Sequence, residues 1–458
     1  MLELFPHLDP DGQPHRSAED VAEDATAEDV AAEDVAAEDA AAEDTATEDT
    51  AVPADPPAHH ARPDELGDSP HAESVLELAA ALQRSLLPQL PSRLPGVEIA
   101  YRYLPSNDVI QVGGDWFDAI VLPGKRIGLV VGDVMGHGVA SATMMGQLRT
   151  AVQTLAVLGL PPQELLRHLD DTARRLSDTH LATCLYAVYD PVTRRCTLAN
   201  AGHLPPVLAR PGEPGRLLEI PTGVPIGVGG HAFDAVEFDI EDGDTLVLFT
   251  DGLVETSKRD FSDGLEILRT ALPVPEVPLE QACGSVIEAL DTAPRGDDAA
   301  LLMARFHGIP SHNVARWSLE PAPRAAGQAR RLVRGMLDRW QLGHLSPQAE
   351  LLVSELIGNS IRFASRPISL RLLYTDTLTC EVHDDCHTLP VPRTAPELSE
   401  KGRGLSIVST LSHRWGTNRT DTGKIVWFEL EPGTERTAAP TAERTPERTP
   451  ERTPGRTP

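Results

Sequence analysis

The chain is short of basic residues. Its 458 residues hold 40 Lys and Arg against 69 Asp and Glu, a formal net charge of -29 at pH 7. That balance repels nucleic-acid backbones and anionic lipid, so neither nucleic acid nor a membrane surface is an expected partner. Cysteine is also scarce. Cys184, Cys196, Cys283, Cys380 and Cys386 form no CxxC pair, and Cys184 and Cys196 sit inside apolar strand-like runs where a small hydrophobe fits. This is a reducing-compartment pattern. No window approaches the ~20 apolar residues that span a bilayer, and the first six residues lack the basic start and apolar core of a signal peptide. A soluble, cytoplasmic protein is the expectation. The length exceeds what one core can hold, so two globular domains with tails are expected.

What is present begins with repetition. From 18 to 50 the dipeptide Glu-Asp recurs in an alanine background. A spacing of five advances about 140° per repeat on a helix, so the acids wind around every face and no apolar stripe survives. Residues 1–70 are therefore expected to form a disordered or transiently helical acidic tail, closed off by Pro53, Pro56 and Pro57. A helical connector is expected over 71–95, where Val75, Ala79, Leu82 and Leu86 trace a narrow seam that Pro88 stops. Two readings of that seam stand: a helix lying on its own domain, or a short homodimer contact. At the other end, over 433–458, the repeat Glu-Arg-Thr-Pro places proline at every fourth position, which forbids helix and sheet.

Two blocks lie between. Over 96–307, strand patterns at 97–103, 116–122, 126–132, 184–189, 196–200, 206–209, 233–240, 245–249 and 300–305 surround helical patterns at 140–158, 162–176 and 279–290. Two long helices in succession, then strands in succession, predict a layered α+β sandwich and not a strictly alternating parallel sheet. Over 308–432, helical patterns at 325–340 and 347–364 precede strands at 368–373, 379–383 and 424–430.

The first block is organised around its acids. The apolar run Ile127, Leu129, Val130, Val131 ends on Asp133, followed by a turn at Gly136 and Gly138 that suits glycine. Asp115 follows Gly113 and Gly114, Asp251 stands in Phe249-Thr250-Asp251-Gly252, and Asp297 and Asp298 follow Gly296. Singly, each is an ordinary cap or turn residue. Jointly, hard oxygen ligands gathered from strand ends suit Mg²⁺ or Mn²⁺.

These segments, with Leu82-Gln-Arg-Ser-Leu-Leu-Pro88 and Ala199-Asn-Ala-Gly-His203, resemble in order the metal-dependent protein phosphatases of the PPM family, in the SpoIIE-type branch that acts on anti-anti-sigma factors. The resemblance implies an αββα sandwich and a pair of Mg²⁺ or Mn²⁺ ions bridged by Asp133. Asp115, Asp251 and Asp297 would complete the shell, with the Val134 carbonyl as a further ligand. Asp133 and Asp115 would be catalytic through the water the ions activate. Between the adjacent Asp297 and Asp298 only geometry decides, and Asp297 is preferred. His137 has two readings, general acid or turn residue, and His203 has two, groove border or loop anchor.

In the second block, Glu355 and Asn359 lie one turn apart on a helix, Asp384 ends a strand, and Gly402-Arg-Gly404 opens a helix where backbone N–H groups can meet phosphate. That order resembles the GHKL ATPases, in the branch of anti-sigma-factor serine kinases, a smaller α/β sandwich. By resemblance Asn359 would hold Mg²⁺, Glu355 would act as general base, Asp384 would accept from the adenine amino group, and Gly402 and Gly404 would belong to the ATP lid. Asp385-Cys386-His387-Thr388 departs from the glycines that follow the adenine aspartate in that family.

The expected protein is thus a serine/threonine phosphatase acting on a phosphorylated STAS-type anti-anti-sigma factor, fused to an ATP-binding domain that acts as a kinase or holds a sigma factor. The rival from a different class is a non-catalytic partner-switching binding protein, which loss of a metal aspartate would mark; all four are present. A nuclease would need a basic groove that the sequence lacks.

Overall fold

The computed structural model describes residues 85–106, 113–177, 179–272, 277–290, 296–390, 404–420 and 422–433. The acidic tail, most of the connector seam, Gly402 and the Thr-Pro repeat lie outside the described residues.

Two antiparallel sheets make the first body. One runs in the order β1 (Arg93–Leu94), β2 (Val97–Leu104), β11 (Ala299–Phe306), β10 (Thr245–Phe249), β7 (Val207–Ala209), β8 (Arg216–Leu217). The other runs β3 (Trp116–Val121), β4 (Ile127–Val134), β5 (Ala182–Asp190), β6 (Arg195–Ala201), β9 (Ala235–Asp239). Successive side chains on a strand point to opposite faces, and the core follows that rule. Leu246 and Leu248 of β10 meet Phe117, Leu129 and Leu185 between the sheets. Val247 and Phe249 point outward onto α3 (Asp251–Val254), α4 (Phe261–Ala271) and α5 (Leu279–Leu290) through Leu253, Leu268 and Val286. With both faces covered, β10 and β11 are buried at every position.

The second sheet is covered by α1 (Val139–Ala156) and α2 (Pro162–Leu176), where Met145, Leu148, Leu165 and Leu169 pack on Trp116, Val130 and Tyr186. In α2, proline opens the first turn, Glu164 sits in it, and Arg174 and Arg175 fill the last, an arrangement that suits the helix dipole. The layers are αββα, as expected. Leu86, at the end of the expected seam, lies on α1: its carbonyl accepts from Arg149 Nη1 at 2.7 Å.

The second body is a two-layer α/β sandwich. Its antiparallel sheet runs β12 (Val314–Leu319), β13 (Ile368–Tyr374), β14 (Leu378–Asp384), β16 (Gly423–Leu430), β15 (Arg414–Thr420). The helices α6 (Ala325–Arg339), α7 (Ser346–Ile361) and α8 (Gly404–Leu411) pack one face, with Val333, Leu337, Leu352 and Leu356 against Leu370, Leu372, Val382 and Phe428. The edge strands β12 and β15 and the helix α4 are additions to the sequence expectation. Edge strands carry polar outward residues, and β15 reads Arg-Trp-Gly-Thr-Asn-Arg-Thr, too polar to signal a strand.

Polar contacts join the two bodies. Lys125, in the β3–β4 turn at φ 60°, reaches Thr377 Oγ1 at 2.7 Å and Glu429 at 3.1 Å. Asn418 Nδ2 donates to the Leu158 carbonyl at 2.8 Å just past α1, and Trp427 Nε1 donates to Asn418 Oδ1 at 3.0 Å.

Candidate metal centre and the Asp384 pocket

The acids of the first body converge at one end of the sandwich. Asp133 is the penultimate residue of β4 and Asp115 directly precedes β3, two antiparallel neighbours. β10 delivers Asp251 to the first turn of α3, and β11 starts just after Asp297 and Asp298. The backbone is tight here: a Cβ on Gly114 would stand 2.3 Å from the Val134 carbonyl oxygen, and one on Gly252 would stand 2.0 Å from the Asp298 carbonyl oxygen. Glycine lets these strand ends approach.

The charges interact strongly. Burial, then the charge of Asp133, holds the Asp115 carboxyl well above the usual carboxylate range; Asp298 and Asp251 add to it. Burial and Asp251 push Asp133 up to about 7, with Asp297 and Asp298 adding and hydrogen bonding to Asp115 opposing. Asp297 is raised by burial and by Asp251, while His137 favours its ionised form. Among the described residues, no Lys or Arg is a cause of the raised pKa of these three carboxyls or an opponent of it. A set of hard oxygen donors that runs from buried Asp115 through half-buried Asp133 to exposed Asp251 and Asp297 fits divalent cations, which supply positive charge.

Among the described residues no three acidic, His or Cys side chains close around one ion-sized point. Hydrogen bonds turn them aside: Asp115 Oδ2 accepts from Thr250 Oγ1 at 2.7 Å, Asp251 Oδ1 from the Gly252 N–H at 2.8 Å, and Asp297 Oδ1 from the Asp298 N–H at 2.8 Å.

Thr250 and Asp118 have no role in the sequence pattern, and Asp298 stands there only as the alternative to Asp297. Asp298 is buried, accepts from the Ser106 N–H at 2.9 Å and bears on both Asp115 and Asp133. Thr250, fully buried, donates to Asp115 and accepts from the Ala300 N–H at 2.8 Å, tying β10, β11 and β3 together. Asp118 is buried and clamps α1 through Arg149 Nε at 3.0 Å and Gln153 Nε2 at 2.7 Å. The sequence held one hint, in Gly-Gly-Asp-Trp-Phe-Asp, where the second acid follows the first at odd spacing. His203 is a buried anchor: Nδ1 meets Thr183 Oγ1 at 2.7 Å and Nε2 meets the Phe249 carbonyl at 3.1 Å. Burial lowers its pKa to about 4. His137 is exposed, in the turn between Gly136 and Gly138.

In the second body, Glu355 and Asn359 share a partly buried face of α7. A Cβ on Gly404 would stand 2.6 Å from Glu355 Oε2, so the first turn of α8 abuts that carboxylate. Asp384 ends β14 with both oxygens engaged. Oδ1 accepts from Lys424 Nζ at 2.6 Å and the Cys386 N–H at 3.0 Å, and Oδ2 accepts from Ser360 Oγ at 2.6 Å. These bonds take up three of the about four acceptor positions that a carboxylate offers, and one of the three donors is the charged Lys424 ammonium.

The folds and sites define two classes of domain: an αββα sandwich with an acid cluster at its strand ends, and a small α/β sandwich of the ATPase type. Residues 123–307 match the family of Stage II sporulation protein E (SpoIIE), and residues 319–430 match the histidine kinase-like ATPase domain. The chain thus joins a region similar to the SpoIIE family to a region similar to the histidine kinase-like ATPase domain. It is similar to phosphoserine phosphatase RsbU of Bacillus subtilis, 27% identical over 186 residues, covering 40% of this chain and 54% of that protein. It is 31% identical over 191 residues to phosphoserine phosphatase RsbP of the same organism, covering 39% and 45%. The chain thus spans about half the length of these curated relatives. The crystal structure of the RsbU and RsbW domains of Rv1364c from Mycobacterium tuberculosis is 25% identical with a TM-score of 0.44, covering 74% of this chain and 93% of that one. Asp115 lies upstream of the SpoIIE match; the fold brings it to Asp133.

Proposed function

We propose that the first domain is a Mg²⁺- or Mn²⁺-dependent protein-serine/threonine phosphatase whose substrate is a phosphorylated STAS-type anti-anti-sigma factor. The observation that carries the reading is the convergence of Asp115, Asp133, Asp251 and Asp297, whose charges raise one another's pKa. Asp133 would bridge two ions, Asp115, Asp251 and Asp297 would flank them, and the Val134 carbonyl would complete the set. Bound divalent ions supply the positive charge that activates water and neutralises phosphoryl oxygens. The chain's own part is to orient. Thr250 fixes Asp115, the Asp118–Arg149 pair fixes α1 behind the Asp133 turn, and exposed His137, whose charge acts on Asp297, would pass a proton to the departing serine oxygen.

The second domain would bind a protein of the same circuit, a sigma factor or the STAS protein. The five free thiols suit a cytoplasmic setting. The SpoIIE kinship and the intact acid set favour turnover over a non-catalytic binding role. The test is incubation with a phosphoserine STAS protein and Mn²⁺, following loss of phosphate by mass. Wild type should release phosphate and Asp133→Asn should not; release by Asp133→Asn would place the chemistry elsewhere.

A further inference from the structure

The second domain matches a histidine kinase-like ATPase family, yet the carboxylate that by that resemblance would read the nucleobase is already paired within the chain. Lys424 stands directly across from Asp384 in the β14–β16 register. Its side chain is 5% exposed and that of Asp384 is 0% exposed. The ammonium donates to Asp384 Oδ1 at 2.6 Å and to the Cys386 carbonyl at 3.1 Å. An adenine amino group would offer the same carboxylate a neutral N–H. Lys424 offers a charged one, tethered to the chain, already desolvated and paired, and charge-assisted bonds of this kind are roughly twice as strong as neutral ones. A neutral ring that displaced it would leave a buried ammonium without its counter-charge.

The neighbouring contacts close the same space. Ser360 Oγ occupies the other Asp384 oxygen, and the Asp385 carboxylate accepts from the Ser365 N–H at 2.9 Å, which pins the segment after Asp384 to the end of α7. A Cβ on Gly423 would stand 2.0 Å from the Asp384 carbonyl oxygen, so β16 presses on the end of β14 that carries Asp384. At the far side, Glu355 lies against the first turn of α8, the position where a phosphate would seek helix N–H groups.

We propose that Lys424 is a built-in occupant of the nucleobase site and that the second domain takes no purine nucleotide, so whatever protein it binds is bound without ATP. The clause about a protein partner rests on the function proposed above; the nucleotide claim does not.

The test is titration calorimetry on the full chain with Mg-ATP, Mg-ADP and Mg-GTP, Mg²⁺ being matched in cell and syringe so that only nucleotide differs. Wild type should show no saturable heat with any of the three. Saturable binding of any one to wild type overturns the proposal, GTP included, since an ammonium beside a carboxylate could read guanine. Lys424→Thr keeps a strand-forming residue and uncovers Asp384, and it should gain Mg-ATP affinity by at least about 100-fold. Adding Asn359→Ala should remove the gained heat. A Lys424→Thr protein with wild-type circular dichroism and no nucleotide heat would show that Lys424 is not the block. The readout is independent of phosphate release, so failure of the phosphatase reading leaves it standing.

Discussion

Lys125 is the point at which the hold between the two domains can be measured. Its side chain is 5% exposed and its main partner, Glu429, is 7% exposed. Lys125→Met keeps the hydrocarbon stem and the left-handed backbone, so strain at φ 60° cancels between variant and wild type. What changes is the charge. Glu429 would keep only Arg414 at 3.8 Å, half exposed, and Thr379 at 3.5 Å, while Thr377 and Asp376 would lose their shared donor. Breaking a buried pair from one side costs about 3–5 kcal/mol, and the remaining Arg414 places this case near the lower end. Urea unfolding followed by tryptophan fluorescence is the assay, since Trp116 reports the first domain and Trp317, Trp340, Trp415 and Trp427 the second. Lys125→Met should lose about 3 kcal/mol, and adding Glu429→Gln should recover about half by removing the stranded charge. A single variant within about 0.5 kcal/mol of wild type would mean that the pair does not hold the domains together.

Other consequences are as direct. Thr250→Val should leave the fold intact and lower Mn²⁺ affinity or phosphatase rate by about 10–100-fold, because Asp115 loses its orienting donor; unchanged metal titration would contradict this. Gly114→Ala should abolish phosphate release with near-normal circular dichroism, since its methyl would meet the Val134 carbonyl oxygen at 2.3 Å and move the ligand backbone. His203 has a folded pKa of about 4, below its ordinary value, so stability it helps supply is full above about 6.5 and drains away as pH falls toward 4. The loss is worth about 3 kcal/mol, and His203→Gln, which takes up no proton, should show a correspondingly flatter stability between pH 7 and 4 in urea melts.

Much of this was legible in the chain. The strand at Thr245–Phe249 and the helices at Pro162–Leu176 and Leu279–Leu290 fall where apolar spacing puts them, because a buried face needs its period whatever lies opposite. Asp115, Asp133, Asp251 and Asp297 could be singled out because each adjoins glycine, the residue that permits close approach of backbones. Asp298 could be named only as the alternative to Asp297, and Thr250 not at all. An acid beside another acid, or a threonine at a strand end, acquires meaning only when the third strand arrives. Asp384 was found by position, but its occupation by Lys424, forty residues later, was invisible until β14 and β16 paired in register.

By itself the sequence determined most of the elements, their layering and the family resemblance, since hydrophobic period and glycine placement are local properties of the chain. The tertiary structure decided which carboxylates share a field, which carboxylate is already spoken for, and how Lys125 and Asn418 dock one domain on the other. Those outcomes depend on distances between residues far apart in sequence, and burial multiplies their energies by removing the water that would otherwise screen them.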